Sequence, residues 1–340
     1  MLAASPGDES LIRAKLLSGA GWVAIMLGYS KETVEYSEES VDLFRRLEYR
    51  QGAAFPLTTL ATYAYDHYDF ERTIELAEES LALFRETGNK WGIRHTLGIL
   101  GYTAEAQGKF EQARKFYEES LSICKEIGDK EGWAYTLLCM GNLAATQGDN
   151  TRAMDLYEEA LRIEKTVKNK PVTSWILGGM GRISIYKGDY ERSRSSFEEV
   201  IEIYQKMGHQ AGVARALRYL GWTARLQVDY LKARSLYFES LQLSYKIREK
   251  GNIAESLIYI GELLGTQGSL ETFVRMLGMA KGVLPDIQKM LIPFFYTGIK
   301  RLIETARAAL GDEIYSAAWE AGRQMSLEDA VAYALKELQQ

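Results

Sequence analysis

The sequence is poor in the residues on which small secreted or loop-rich folds depend. It has two cysteines, Cys124 and Cys139, too few for a disulfide framework and better suited to a reducing compartment. Five prolines in 340 residues are too few for a chain made of turns. Histidine occurs three times, as His67, His95 and His209, never in a His-Glu-x-x-His arrangement or beside a cysteine at ligand spacing, so no metal centre and no cofactor are expected. The phosphate loop Gly-x-x-x-x-Gly-Lys-Ser/Thr is missing, and no nucleophile has a base and an orienting partner, so the chain reads as non-enzymatic. The longest apolar runs, Ala20–Leu27 and Met290–Phe295, fall well short of the roughly 18 residues that cross a bilayer, and Met1–Ser10 has no apolar signal core. Forty-one basic against 46 acidic side chains leave a net charge of -5, without the excess of positive charge that nucleic-acid binding needs. The expectation is a cytoplasmic protein that touches neither membrane nor nucleic acid directly.

What the sequence does have is a period of 40 residues. Glu39-Ser40-Val41, Glu79-Ser80-Leu81, Glu119-Ser120-Leu121, Glu159-Ala160-Leu161, Glu199-Val200-Ile201 and Glu239-Ser240-Leu241 stand in register. A second column reads Gly21, Ala61, Gly101, Gly141, Gly181, Gly221, Gly261, and a third Gly28, His67-Tyr68, Gly108, Gly148, Gly188, Val228, Gly268. Each unit decodes as two helices. In residues 131–167 the apolar positions follow a 3.6 period up to Gly148, where Asp149 or Asn150 can cap a second helix. Glycine inside a helix costs about 1 kcal/mol against alanine, so its recurrence signals a steric demand: Gly141 and Ala153 let two helices approach while Tyr157 fills the space beside them.

Leu137, Met140-Gly141, Ala144, Ala153, Tyr157 and Ala160 resemble the tetratricopeptide repeat (TPR), as do Met180-Gly181, Ser193, Phe197 and Leu220-Gly221, Ala233, Tyr237. The resemblance implies an all-α, right-handed superhelical solenoid of about seven long helix pairs over residues 10–283, after a polar stub at 1–9. Residues 284–340 leave the period and are expected to form capping helices: Ile299–Leu310 stopped by Gly311, Glu313–Ala321 ending at Gly322, and a last helix opened by Ser326 and Asp329 as a capping box. A second resemblance lies there. Leu310-Gly311-Asp312, Ala317-Ala318-Trp319, Gly322-Arg323 and Ser326-Leu327-Glu328, with Arg275–Ala280, look like the C-terminal end of bacterial signal-transduction ATPases with numerous domains (STAND) and of LuxR-type, MalT-like regulators. In those proteins the repeats form a sensor behind an ATPase that this sequence does not contain.

In a TPR solenoid the first helix of each unit lines the concave surface. Helical spacing around the glycine column puts Trp22, Phe55, Tyr65, Asp66, His95, Tyr102 and Glu105 there in the early units. In units four to six it puts Tyr135, Asn142, Trp175, Arg182, Tyr186, Arg215, Arg218, Trp222 and Arg225, followed by Glu255 and Glu262. These nine residues are the candidate ligand groove, since rings beside unpaired guanidiniums suit an anion. The competing expectation is that the arginines pair with Glu255 or Glu262. The recurrent Glu38-Glu39, Glu78-Glu79 and Glu118-Glu119 read as a solvated face. The expected function is a non-catalytic sensor or regulatory module, with a free-standing scaffold for an acidic peptide segment as the alternative. The expected partner is a protein, a peptide or a small anionic or sugar-like effector. The apolar first helix adds either a missing preceding domain or self-association through the N-terminal end.

Overall fold

The computed structural model of the protein describes residues 11–27, 29–285 and 293–339. The stub 1–9, Gly28 of the turn column and Met290 of the apolar run lie outside the described residues. Within them every regular element is a helix. The sequence period is kept to the residue. Inner helices α5 (Lys90–Ala106), α7 (Lys130–Thr146), α9 (Lys170–Lys187), α11 (Gln210–Leu226) and α13 (Lys250–Thr266) begin at forty-residue intervals. So do outer helices α4 (Phe70–Thr87), α6 (Phe110–Ile127), α8 (Asn150–Val167), α10 (Tyr190–Lys206), α12 (Tyr230–Lys246) and α14 (Leu270–Val283). The first units are α1 (Leu11–Leu27) with α2 (Ser30–Arg46), and α3 (Ala54–Asp66) with α4. Starts are fixed by caps: Asp69, Asn89, Asp129, Asp149, Asn169, Asp189 and Asp229 each accept a hydrogen bond from the third backbone N–H that follows.

The chain divides into two compact units, residues 1–168 with α1–α8 and residues 169–340 with α9–α14 and the tail. Both use one packing device. A Cβ on Gly101 would stand 2.3 Å from the Tyr117 ring, on Gly141 2.5 Å from Tyr157, on Gly181 2.7 Å from Phe197 and on Gly221 2.5 Å from Tyr237. Each ring is fully buried and lies on bare backbone of the preceding helix. Burial of such a ring contributes roughly 1.5–3 kcal/mol, which outweighs the propensity cost of the glycine. The column Thr33, Thr73, Ala113, Ala153, Ser193, Ala233 is also fully buried. The two helices of a pair are also joined by buried serines: Ser40, Ser80 and Ser240 donate to the carbonyls of Ala14, Ala54 and Ala214 at 2.7–2.8 Å. The recurrent glutamates sit on the outer helices. Glu79 and Glu119 take ion pairs from Arg45 and Arg85 one pair earlier, at 2.8 and 2.7 Å. Half-exposed pairs of this kind add little stability.

In the second unit the tail forms α15 (Pro293–Arg323) and α16 (Leu327–Gln339). Gly311, at φ 74°, breaks α15 where the sequence expects a stop. Gly322 stands one residue before the end of α15 at Arg323, where the sequence expects the stop. It is also a contact point: a Cβ there would stand 2.0 Å from the Arg275 carbonyl oxygen, and one on Gly278 would stand 2.2 Å from that of Trp319. The two glycines let α14 and α15 cross backbone against backbone. The Ser326 hydroxyl caps α16 by accepting from the Asp329 N–H at 3.1 Å. At the other end of the chain, Ile12, Leu16, Val23, Met26 and Leu27 of α1 are exposed.

The turn column carries two non-glycine residues in the left-handed region, Tyr68 at φ 61° and Val228. Val228 holds φ 64°, where Gly108, Gly148, Gly188 and Gly268 stand in other units. A side chain in the left-handed region costs about 1–2 kcal/mol, more awkwardly when β-branched. Val228 is exposed, so its removal forfeits no packing. Val228→Gly is expected to raise unfolding stability by about 1 kcal/mol, and Gly188→Val to lower it comparably, both read from the denaturant midpoint.

Candidate functional site

Of the nine groove candidates, Tyr135 and Asn142 belong to the first unit and the other seven to the second. In the second unit two of the four arginines that the sequence suggests as unpaired, Arg218 and Arg225, have carboxylate partners. Arg218 is buried and forms an ion pair with Glu255, donates to Asn252 Oδ1 at 3.1 Å, and lies over the rings of Tyr259 and Tyr219. Arg225 pairs with the buried Glu262. Trp222 is also buried, edge-on to Tyr259 and to Phe295 of α15, and Phe295 is stacked on Tyr259 with centroids 3.8 Å apart. The premise of free guanidiniums beside open rings is therefore corrected for Arg218, Trp222 and Arg225. Each arginine stands 37 residues before its glutamate, which sets it opposite on the next inner helix, and the tail supplies the aromatic partner. Arg182 lies near enough to act on the Tyr259 hydroxyl. Tyr186 is half-buried, while Trp175 and Arg215 are exposed.

The first unit holds an open recess of about 410 Å³. It is lined by Thr62, Tyr65 and Asp66 of α3, by Arg94, His95, Gly98 and Tyr102 of α5, by Tyr117 of α6 and by Tyr135 and Cys139 of α7, among others. Tyr102 is its centre, with the rings of Tyr65, Tyr117 and Tyr135 at 6.0–6.2 Å. Its hydroxyl accepts from the Cys139 thiol at 3.5 Å. Tyr117, the ring seated on Gly101, reaches Glu105 with its hydroxyl at 3.1 Å. Asn142, by the same geometry, accepts from Tyr157 at 2.7 Å and holds that ring in place.

Charge in the recess is uneven. Arg94 is spent: its Nε lies 3.0 Å from Asp129, and its guanidinium rests over Trp91. Asp66 lines the recess and is exposed, and Glu105 lies beside it on the Tyr117 hydroxyl; desolvation raises the pKa of both, opposed at Asp66 by His67 and at Glu105 by the Tyr117 and Thr146 hydrogen bonds. His95 is stacked on Trp91, edge-on to Trp22, and its Nδ1 is buried without a hydrogen-bond partner. Burial, with the nearby Arg94 charge, lowers its pKa to about 4, so the ring is neutral at pH 7.

The recess exists because α5 has glycine three residues before its column glycine. At the matching place α3 has Thr58, α7 has Leu138, α11 has Arg218 and α13 has Ile258, while α9 has a second glycine, Gly178. A Cβ on Gly98 would meet only the Tyr102 hydroxyl, at 3.7 Å. Tyr65, Asp66, His95, Tyr102 and Glu105 stand at groove positions in the sequence reading, but Gly98 was missed. The signal, an extra glycine three residues before the column glycine, is shared by Gly178 of α9 and so does not single out α5 in the sequence.

The family model of the MalT-like TPR region matches residues 57–213, a segment that contains the whole recess. No curated protein matches the chain. Among solved structures it is similar to the apo form of RapI, at 14% identity over 81% of this chain and 99% of that one, with a TM-score of 0.66. It is similar to a STAND protein with a tetratricopeptide repeat sensor from Pyrococcus horikoshii, at 16% identity and a TM-score of 0.63, covering 98% of this chain and 50% of that one. It is also similar to BtubC from P. vanneervenii, at 19% identity over 65% of this chain and 92% of that one, with a TM-score of 0.57. At these identities the likeness is one of fold: the chain is a helical solenoid of the TPR type. It spans about half the length of the STAND protein.

Two outcomes follow for stability. Glu255→Ala leaves the buried Arg218 charge uncompensated and is expected to cost about 3–5 kcal/mol, whereas Arg218→Met with Glu255→Leu is expected to be close to neutral, both measured by denaturant unfolding. His95 titrates with the opposite sign to a paired histidine. Its folded pKa of about 4 lies below the unfolded 6.5, so the unfolded chain binds the proton first and stability falls as pH drops through that window. The loss reaches about 3 kcal/mol near pH 4. Asp66 and Glu105, with raised values, act the other way, so the measurement is the difference between wild type and His95→Gln. The variant should lose less stability between pH 7 and 4.

Proposed function

We propose that the chain is a non-catalytic binding module of the sensor type, with its ligand seat in the recess of the first unit. The observation that carries this reading is that three consecutive inner helices, α3, α5 and α7, all contribute side chains to one open, ring-lined cavity. A ligand there touches three repeats at once and favours the arrangement in which all three are in register. In repeat proteins stability is a sum of unit and nearest-neighbour contributions, so such a ligand couples neighbours that otherwise open separately. The match to the MalT-like TPR region over 57–213 and the likeness to a STAND protein with a repeat sensor support a regulatory role. In that role the bound state is passed to an attached ATPase or transcription-regulating effector. A free-standing scaffold shares the same seat and differs only in having no attached effector. An acidic peptide segment finds less support, because Arg218 and Arg225, two of its four arginines, already have carboxylate partners.

The test is a thermal-shift screen of short peptides and small metabolites on wild type and on Gly98→Leu. Leucine occupies the matching place of α7, so the variant is expected to fold while closing the cavity. A ligand at a hundred times its Kd stabilises by about 2.7 kcal/mol, a shift of several degrees in wild type that should vanish in Gly98→Leu. Equal shifts in both proteins would place binding elsewhere.

A further inference from the structure

The chemistry lining the recess narrows what it takes. Several of its polar groups are committed, the Tyr102 hydroxyl to Cys139 and Tyr135, the Tyr117 hydroxyl to Glu105, and the Arg94 charge to an ion pair with Asp129 and to the Trp91 face, while Arg94 Nε and His95 Nδ1 have no hydrogen-bond partner. What remains uncompensated is negative charge. Asp66 lines the recess, Glu105 sits beside it on the hydroxyl of the lining Tyr117, and both raise the pKa of Tyr65. Neither forms an ion pair among the described residues, and burial penalises the charged form of each. Around them stand the rings of Tyr65, Tyr102 and Tyr135, tilted against one another by 51° and 83° rather than laid flat as a platform. Mutually tilted rings enclose a centre instead of offering one stacking face, and ring faces attract cations.

We infer that the recess of the first unit binds an organic cation, the ammonium or guanidinium of a basic side chain, between Asp66 and Glu105 and against the rings of Tyr65, Tyr102 and Tyr135. This rests on the reading of the recess as the ligand seat. An anion would meet two carboxylates and an arginine already neutralised by Asp129. A neutral polar ligand would leave both carboxylates without an ion-pair partner, Glu105 held only by hydroxyls. A cation relieves both at once through charge-assisted hydrogen bonds, and its CH₂ stem matches the apolar wall of Ile99 and Cys139. The same chemistry is offered by a lysine or arginine in a peptide segment and by a free diamine.

The probes are capped pentapeptides with a single Lys, Arg or Glu between glycines, together with putrescine, titrated into the full chain and followed by NMR of the tyrosine ring signals. The Lys and Arg peptides are expected to give saturable shifts that weaken with added salt, while the Glu peptide gives none. Binding at least as tight by putrescine assigns a free amine as the source, and binding by the peptides alone assigns a protein segment. Asp66→Asn with Glu105→Gln should weaken cation binding at least tenfold. Glutamine can still accept from Tyr117, and an unchanged melting curve verifies that the double variant is folded. The inference is overturned if no cation shifts the rings at millimolar concentration, if the Glu peptide binds as well, or if the double variant keeps wild-type affinity. Gly98→Leu separates the two levels. Binding that Gly98→Leu abolishes but that ignores the carboxylates sinks only the cation. Cation binding that Gly98→Leu leaves intact removes the recess as the seat as well.

Discussion

Everything in this protein follows from one steric relation, an aromatic ring lying on a helix where a side chain is missing. Tyr117 on Gly101, Tyr157 on Gly141, Phe197 on Gly181 and Tyr237 on Gly221 set how closely the two helices of a pair approach. A single methyl at the glycine would overlap the ring, so spacing within the pair is held from below by contact and from above by loss of burial. Interiors packed to crystal-like density respond to such changes in steps and not smoothly. The same rings reach further than the core. The Tyr117 and Tyr157 hydroxyls emerge on the inner-helix face and orient Glu105 and Asn142, so the packing device also positions polar groups of the site.

Against this constant frame, a few variable positions decide what each unit can do. Three residues before the column glycine, Gly98 leaves a hole, Leu138 fills it with hydrocarbon, and Arg218 fills it with a charge that must then be neutralised. Glu255 and Asn252 supply that neutralisation from the next inner helix. The two units thus use one scaffold in opposite ways. In the first, carboxylates and phenols surround open space. In the second, the polar groups turn toward one another, and Trp222 and Tyr259 are covered by Phe295.

Much of the fold was legible in the sequence because it repeats. Three columns at a spacing of 40 fix helix pairs, the Asp and Asn caps fix their starts, and the glycine column fixes the crossing that Tyr157 fills. The site was legible only in part. Spacing rules put Tyr65, Tyr102, Tyr135 and Arg218 on the inner helices, but a spacing rule does not say which of them are already satisfied. Arg218 and Arg225 find glutamates 37 residues on, a cross-repeat relation that shows only once two inner helices are set side by side. Phe295 lies outside the period, so no column points to its seat between Tyr259 and Trp222. The recess is a missing side chain at Gly98, and it becomes visible only when the surrounding walls are in place. Gly322 stands beside the end of α15 as the sequence suggests, but its close approach to the carbonyl of Arg275 is a demand that no local pattern reveals.

The covering of Trp222 and Tyr259 by Phe295 changes where the second unit can be cut. By repeat counting, Val283 is the natural edge, the end of the last helix pair. Cut there, the chain would bare two rings and the α14 surface on which Gly278 meets Trp319, a contiguous oily area of the kind that drives clumping in water. The smallest soluble piece of this half is therefore longer than its repeats. Recombination that trades repeats with another solenoid must carry residues past Ile299 along with them, or bring a substitute ring of its own.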